Sequence, residues 1–269
     1  LLALLAPVLA VEIENLGRLN ASLSEIINIR SLDSLTGTVA GTADWDVGVP
    51  VVLSFLMVSH TPGCIRDCSD LPSNSPSGIY VIKPKGYRII VVYCEMQEEG
   101  GGWTVIQRNR QDTDNTWDES WSTYKHGFGN MRGEFWLGTE YIHQITRQKP
   151  YQVRFVIWDA SNNKRFADYN LFSLDDESQG YRLRLGAHSG TAEDAMASGS
   201  ITAHDNMKFS TKDRDEDTFS GDCASVYGGG WWYSACYSVR LNFKGPLTWG
   251  SLCKGNCKAS AILIKPLTC

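Results

Sequence analysis

The sequence predicts a globular domain that consists mainly of short β-strands, with few and short helices. Three observations support this expectation. Several apolar runs, bounded by Gly and Pro, are rich in the β-branched and aromatic residues that are typical of strands. Of the 269 residues, 42% are hydrophobic and 11% aromatic, which is ample for a packed core. The chain also has eight cysteines, an even number that suggests disulfide bonds.

The strand-like runs follow one another from residue 78 onward. They begin at Gly78, Arg88, Trp103, Tyr151 and Tyr181. The third follows a glycine turn, and the last two alternate apolar and polar residues, as half-buried strands do. The best helix candidate among them is Glu140–Gln148, which places Ile142 and Ile145 on one face.

The first 63 residues differ in character from the rest. Leu1–Ala10 is an apolar block that ends in small residues, which we interpret as the end of a secretory signal peptide. Residues 11–63 are predicted to form a short amphipathic helix and a linker. The apolar seam Leu16–Ile26 either serves to form homo-oligomers or is simply one face of a helix. Asn20 begins a glycosylation sequon, and the domain itself is expected to span 64–269.

Several classes of function are disfavoured. A formal net charge of −5 gives no basic patch for nucleic acid. The apolar run Val49–Ser59 is too short to span a bilayer, so we expect a secreted protein without a transmembrane segment. In the segment GAHSG the serine at position 189 lies one place late for a nucleophile elbow, and no histidine pair matches a zinc-protease motif. We therefore expect no enzyme.

The cysteines allow two interpretations. They stand at positions 64, 68, 94, 223, 236, 253, 257 and 269. Disulfides are favoured in an oxidising compartment. The two C-x3-C pairs, Cys64 with Cys68 and Cys253 with Cys257, also offer the four thiolates of a structural zinc site.

An acidic run precedes one of these cysteines. The segment 213–223 reads DRDEDTFSGDC, with five carboxylates. Its first three aspartates match alternate positions of an EF-hand loop, but Thr218 stands where that loop needs Gly and Ala224 where it needs Glu. Carboxylates at alternate positions of an irregular loop can still converge on a calcium ion. The alternative is a solvated acidic loop.

Aromatic residues crowd the next stretch of chain. They are Tyr227, Trp231, Trp232, Tyr233 and Tyr237. Such residues are usually core, but an aromatic pocket that holds a small apolar group is the functional alternative.

Long motifs in a fixed order identify a family resemblance. They are GGGWTVIQRN (100–109), WSTYKHGFGNMRGEFWLGTEYIHQIT (121–146), GTAEDA (190–195), MKFSTKDRDEDTFSGDCA (207–224) and GGWWYSACYSVRLN (229–242). From about Cys68 to the C-terminus the chain resembles the fibrinogen C-terminal domain family, which includes fibrinogen chains, ficolins, tachylectins, angiopoietins and tenascins. The resemblance implies an α+β fold: a small N-terminal subdomain, a central antiparallel sheet with short helices, and a loop-rich calcium-binding C-terminal part.

The resemblance also implies disulfides and a Ca²⁺ site. The implied pairs are Cys68–Cys94 and Cys223–Cys236, and we expect the remaining cysteines to pair as Cys253–Cys257 and Cys64–Cys269. The implied metal ligands are the carboxylates of Asp215 and Asp217 and the backbone carbonyls of Phe219 and Gly221. Asp213 and Asp222 are then expected to be peripheral and solvated.

In the sugar-binding members of the family an acetylated sugar binds beside that calcium. The matching positions are Tyr227, the backbone at Ala235 and Cys236, and Tyr237. The family often has a cis peptide between the residues that match Ala235 and Cys236. This chain has Tyr237 where those members commonly have His, and a shorter segment leads to Trp249, which we expect to complete the pocket wall.

The sequence therefore favours a secreted, calcium-binding, lectin-like module that binds acetylated or other carbohydrate ligands in innate defence. The alternative is an angiopoietin- or tenascin-like ligand, or an extracellular matrix protein, that binds cell-surface or matrix proteins and no sugar.

Overall fold

The computed structural model describes residues 65–197, 199 and 201–267. The expected signal peptide, amphipathic helix, linker and Asn20 sequon all precede this range. Cys64 and Cys269 also lie outside the described residues, so their pairing stays a prediction.

Strands dominate the part of the chain that the structure describes. Its thirteen strands are β1 Gly78–Ile82, β2 Ile90–Glu95, β3 Trp103–Arg110, β4 Phe128–Gly129, β5 Phe135–Trp136, β6 Tyr151–Trp158, β7 Lys164–Leu174, β8 Leu183–Leu185, β9 His188–Gly190, β10 Val239–Arg240, β11 Leu247–Trp249, β12 Cys253–Cys257 and β13 Ala259–Pro266. Its three α-helices are α1 Trp121–His126, α2 Thr139–Thr146 and α3 Cys223–Tyr227. The five predicted runs correspond to β1, β2, β3, β6 and β8.

The strands form one large antiparallel sheet and one small one. The large sheet has the order β1-β2-β3-β13-β6-β7-β8. In addition, β5 pairs with β3 and with β4, and β9 pairs with β7. The last strand, β13, lies in its middle, where Ile262 is opposite both Gln107 of β3 and Phe155 of β6. The α+β fold with a central antiparallel sheet is therefore confirmed.

The helices are short and cover parts of this sheet. The predicted helix Glu140–Gln148 is α2, which begins one residue earlier and ends two residues earlier. Ile142 and Ile145 are fully buried, as their spacing predicts. Among the described residues, no helix has the length and apolar character needed to cross a bilayer.

Buried amides of β3 hold the loop-rich C-terminal part against the large sheet. The side-chain amide of Asn109 donates to the carbonyls of Leu241 and Phe243 at 2.7 and 2.9 Å. The Gln107 amide donates to Leu241 O over 3.2 Å. These bonds fix the chain that follows β10, which belongs with β11 and β12 to the small sheet.

Three disulfides join the described cysteines. They are Cys68–Cys94, Cys223–Cys236 and Cys253–Cys257, the pairs that were expected. Because the sulfurs of Cys68, Cys253 and Cys257 are bonded to other sulfurs, the four-thiolate zinc site is ruled out.

Candidate calcium site and ligand pocket

The acidic run forms an irregular loop whose alternate side chains face opposite ways. Glu216 pairs with Lys208 and Arg214, at 2.8 and 2.9 Å. The Arg214 guanidinium in turn lies 3.9 Å from the ring centroid of Trp121. This contact anchors the loop to α1, and it leaves Asp215 and Asp217 on the other side.

The carboxylates on that other side converge. One oxygen from each of Asp215, Asp217 and Asp222 lies within 4.8 Å of the others. Burial is the main effect that raises the pKa of the Asp217 carboxyl; the N–H groups of Cys223 and Phe219 oppose it, and the charge of Asp215 adds to it. The cluster therefore concentrates negative charge that a cation would neutralise.

Two carbonyls beside the cluster are also available. Within the described residues, the oxygens of Phe219 and Gly221 accept no hydrogen bond. Ca²⁺ takes about six to eight oxygen ligands from carboxylates, carbonyls and water. The residues present therefore fit calcium by donor type and by convergence.

The other two aspartates of the run accept hydrogen bonds at the starts of helices. Asp213 is exposed, but its carboxylate accepts from the backbone N–H of Trp121 at the start of α1 and from the Thr211 hydroxyl, at 2.7 and 2.8 Å. Asp222 is half-buried and caps α3, where it accepts from Ser225 N over 2.9 Å. Asp213 is exposed and lies outside the cluster, as expected. The expectation that Asp222 is peripheral is wrong, because it belongs to the cluster.

The ligand pocket was predicted around the end of α3. The Cys223–Cys236 disulfide joins the first residue of that helix to the following loop. Tyr227 ends the helix, is 38% exposed, and its ring centroid lies 5.1 Å from that of Tyr237, edge to face. The two tyrosines thus share one surface, whereas Trp231, Trp232 and Tyr233 of the same aromatic block are core.

The loop between Tyr227 and Tyr237 leaves two backbone N–H donors unused. The Ala235–Cys236 peptide is cis, as the resemblance implies. Ala235 N donates to Ile201 O over 3.0 Å, and Thr218 N of the acidic loop donates to Ser234 O over 3.3 Å. Among the described residues, the N–H groups of Cys236 and Tyr237 have no acceptor. They are the free donors of this surface.

Comparison with known proteins agrees with this architecture. Residues 64–256 match the family described as the fibrinogen beta and gamma chains, C-terminal globular domain. The chain belongs to the fibrinogen C-terminal domain family. Its relatives include a fibrinogen-like protein 1-like protein of Gallus gallus, 48% identical over 217 residues, with 76% of each chain covered. The human fibrinogen alpha chain is 42% identical over 193 residues, which are 66% of this chain and 22% of that one.

Solved structures show the same fold. The fibrinogen-like globe domain of human ANGPTL2 is 37% identical, with a TM-score of 0.69, and the match covers 75% of this chain and 99% of that one. The lamprey fibrin D-dimer, solved with the peptide ligand Gly-His-Arg-Pro-amide, is 28% identical with a TM-score of 0.71, and the match covers 98% and 87%.

In this fibrinogen C-terminal domain a buried histidine supports the pocket loop. Nδ1 of His204 lies 2.8 Å from Trp232 O, and Nε2 accepts from Ser238 N and Val239 N at 3.2 and 2.9 Å. Burial lowers the pKa of His204 to about 4. Sequence reasoning missed this residue, because an isolated histidine carries no motif.

Trp249 lies away from the surface where the pocket was predicted. Its side chain is fully buried, 5.4 Å from the ring of Phe155, and its indole N–H donates to Glu193 O over 3.1 Å. The shorter segment before Trp249 thus leads the chain into the core. The position beside Tyr237 is occupied instead by Arg240, which the sequence reasoning did not single out.

Proposed function

We propose that this fibrinogen C-terminal domain is a non-catalytic, calcium-binding recognition module that binds acetylated glycans at the surface of Tyr227 and Tyr237. The observation that carries the proposal is the pair of unused N–H donors at Cys236 and Tyr237 beside these two rings. An acetyl group needs an apolar wall for its methyl and a donor for its carbonyl oxygen. Both are present in this loop.

Calcium has a structural part in this proposal. Asp215, Asp217, Phe219 and Gly221 would hold the ion, with Asp222 close enough to contribute. When bound, Ca²⁺ neutralises the carboxylates and ties the acidic loop into one conformation. Since Thr218 of that loop bonds to Ser234, the ion would also stabilise the pocket loop. The three disulfides support an extracellular location.

Titration with N-acetylglucosamine, followed by NMR in the presence of Ca²⁺, tests the function. Burial of one small acetyl group yields weak binding, about millimolar, for the single domain. Tyr227→Ala should abolish it, whereas Leu171→Ala, which removes an exposed apolar side chain on β7, should not. No shift change at tens of millimolar sugar would refute the proposal.

A second candidate is a protein- or peptide-binding role. Exposed apolar side chains surround the site, with Ile201, Phe219 and Val226 exposed by 66%, 48% and 67%. The lamprey fibrin relative carries a peptide ligand in its solved structure. If the sugar titration fails while Tyr227→Ala abolishes binding of a protein ligand, this second role replaces the first.

A further inference from the structure

Arg240 is a half-buried cation without an acidic partner. Its guanidinium forms no ion pair with any residue that the structure describes. By contrast Arg154, which is more deeply buried, contacts Glu98, Glu99 and Asp168. A charge removed from water usually has a counter-charge, so its absence at Arg240 needs an explanation.

Aromatic rings hold the guanidinium at the pocket. Its central carbon lies 3.7 Å from the ring centroid of Phe243 and 4.9 Å from that of Tyr237. A third ring, Tyr227, lies 6.0 Å away. These contacts attract the cation to the ring faces and fix its position, but they do not neutralise its charge.

Most of its hydrogen-bond donors are unused. Nη1 donates to the carbonyl of Tyr227 over 3.1 Å. Nε is buried, and among the described residues neither Nε nor Nη2 has a hydrogen-bond acceptor. A guanidinium carries five N–H donors in a plane, and their natural acceptor is a carboxylate, which can take two of them at once.

We propose that the ligand of this site carries a carboxylate that accepts hydrogen bonds from Arg240, so the preferred class is N-acetylated sugar acids and not neutral N-acetyl sugars. This inference rests on the proposed function, because it places the carboxylate on a ligand already seated against Tyr227 and Tyr237. The tyrosines and the free N–H groups hold the acetyl group. Arg240 then selects among acetylated ligands by charge.

The position of Arg240 suits this role. It lies on β10, which pairs with β11, and the chain directly after it is held by the Asn109 and Gln107 amides of the large sheet. A donor on such a support loses little conformational freedom when a ligand binds. The same positive charge disfavours the binding of cationic ligands, so this site is not expected to bind a basic peptide.

A matched pair of sugars provides the test. N-acetylmuramic acid and N-acetylglucosamine differ by one carboxylate-bearing lactyl group, and both are titrated into the calcium-loaded domain. We expect the acid to bind about tenfold more tightly, and the ratio of the two dissociation constants to fall to about one in Arg240→Gln. Arg240→Lys, which keeps the charge but loses the planar fork, should give an intermediate ratio. Arg132→Gln removes an exposed arginine elsewhere and should leave the ratio unchanged.

The outcomes separate this inference from the function on which it rests. If the unaltered domain binds both sugars equally, Arg240 does not select a carboxylate and the inference fails alone. If it binds neither sugar, the proposed function fails and the inference with it. The comparison within the unaltered domain decides the matter even if Arg240→Gln does not fold.

Discussion

The backbone N–H of Val239, the first residue of the strand that carries Arg240, donates to Nε2 of the buried His204 over 2.9 Å. Since Nδ1 faces the carbonyl of Trp232, the ring is neutral with its proton on Nδ1. A second proton, on Nε2, would face the N–H groups of Ser238 and Val239 and break both hydrogen bonds. Burial accordingly lowers the pKa of His204 from 6.5 to about 4.

This depressed pKa predicts a pH dependence of stability. Above pH 6.5 the imidazole is neutral in both states; below that value only the unfolded state takes up the proton, until the folded pKa of about 4 is reached. We expect the free energy of unfolding to fall by about 3 kcal/mol across this window. Urea unfolding at several pH values, with EDTA present, measures it. His204→Gln should flatten this slope and His126→Gln should not; an unchanged slope in His204→Gln would contradict the assignment.

Calcium should stabilise the folded domain. An ion that binds only the native state at about a hundredfold excess over its Kd raises Tm by about 5–10 °C for a domain of this size. The double change Asp215→Asn with Asp217→Asn should remove this response. Asp112→Asn with Asp114→Asn is the matched control, because these two exposed aspartates have the same spacing. A full calcium shift in the first double variant, measured by thermal unfolding, would place the ion elsewhere.

Gly229 is predicted to be intolerant of any side chain. Its φ is +75°, and a Cβ there would lie 1.8 Å from the carbonyl oxygen of Asn242, which is backbone. Gly229→Ala should therefore destabilise the domain by roughly 3 kcal/mol or more. In Gly133→Ala the nearest atom is 3.9 Å from the new Cβ, so this control should change the free energy of unfolding little. Equal stability of the two variants in urea unfolding would show that the backbone at Gly229 adjusts.

A disulfide between Cys64 and Cys269 is predicted from where the described chain ends. The carbonyl of Arg66 accepts from the Gln148 side chain over 3.4 Å, and Leu267 N donates to Pro150 O over 3.0 Å. The first and last few residues that the structure describes thus both lie close in space to residues 148–150. Non-reducing peptide mapping should find this pair beside the three disulfides already described.

Closure of so long a loop contributes up to about 5 kcal/mol in the chain-entropy model. The double change Cys64→Ala with Cys269→Ala should therefore lower the free energy of unfolding. Free thiols at both positions in the native protein would refute the pairing.

Local sequence pattern was sufficient to predict part of the fold. The β-branched runs identified β1, β2, β3, β6 and β8, because alternation and composition are properties of a short segment. Two long strands of the large sheet, β7 and β13, were not singled out. The assignment of β13 depends on partners far away in sequence, as when Ile262 pairs with Gln107 and Phe155. By contrast β7 pairs with β6, the strand that precedes it in the sequence.

The sequence by itself determined the family and the residue types of the acidic loop, because these lie in contiguous motifs. The pairs Cys68–Cys94 and Cys223–Cys236 followed from the resemblance to that family. The tertiary structure decided which of these residues meet. It placed Trp249 in the core, gave Asp213 and Asp222 helix-terminal roles, and brought His204 and Arg240 to the pocket loop. Burial and long-range contacts carry no local periodicity, so the side chains that surround a site become known only when the chain has folded around it.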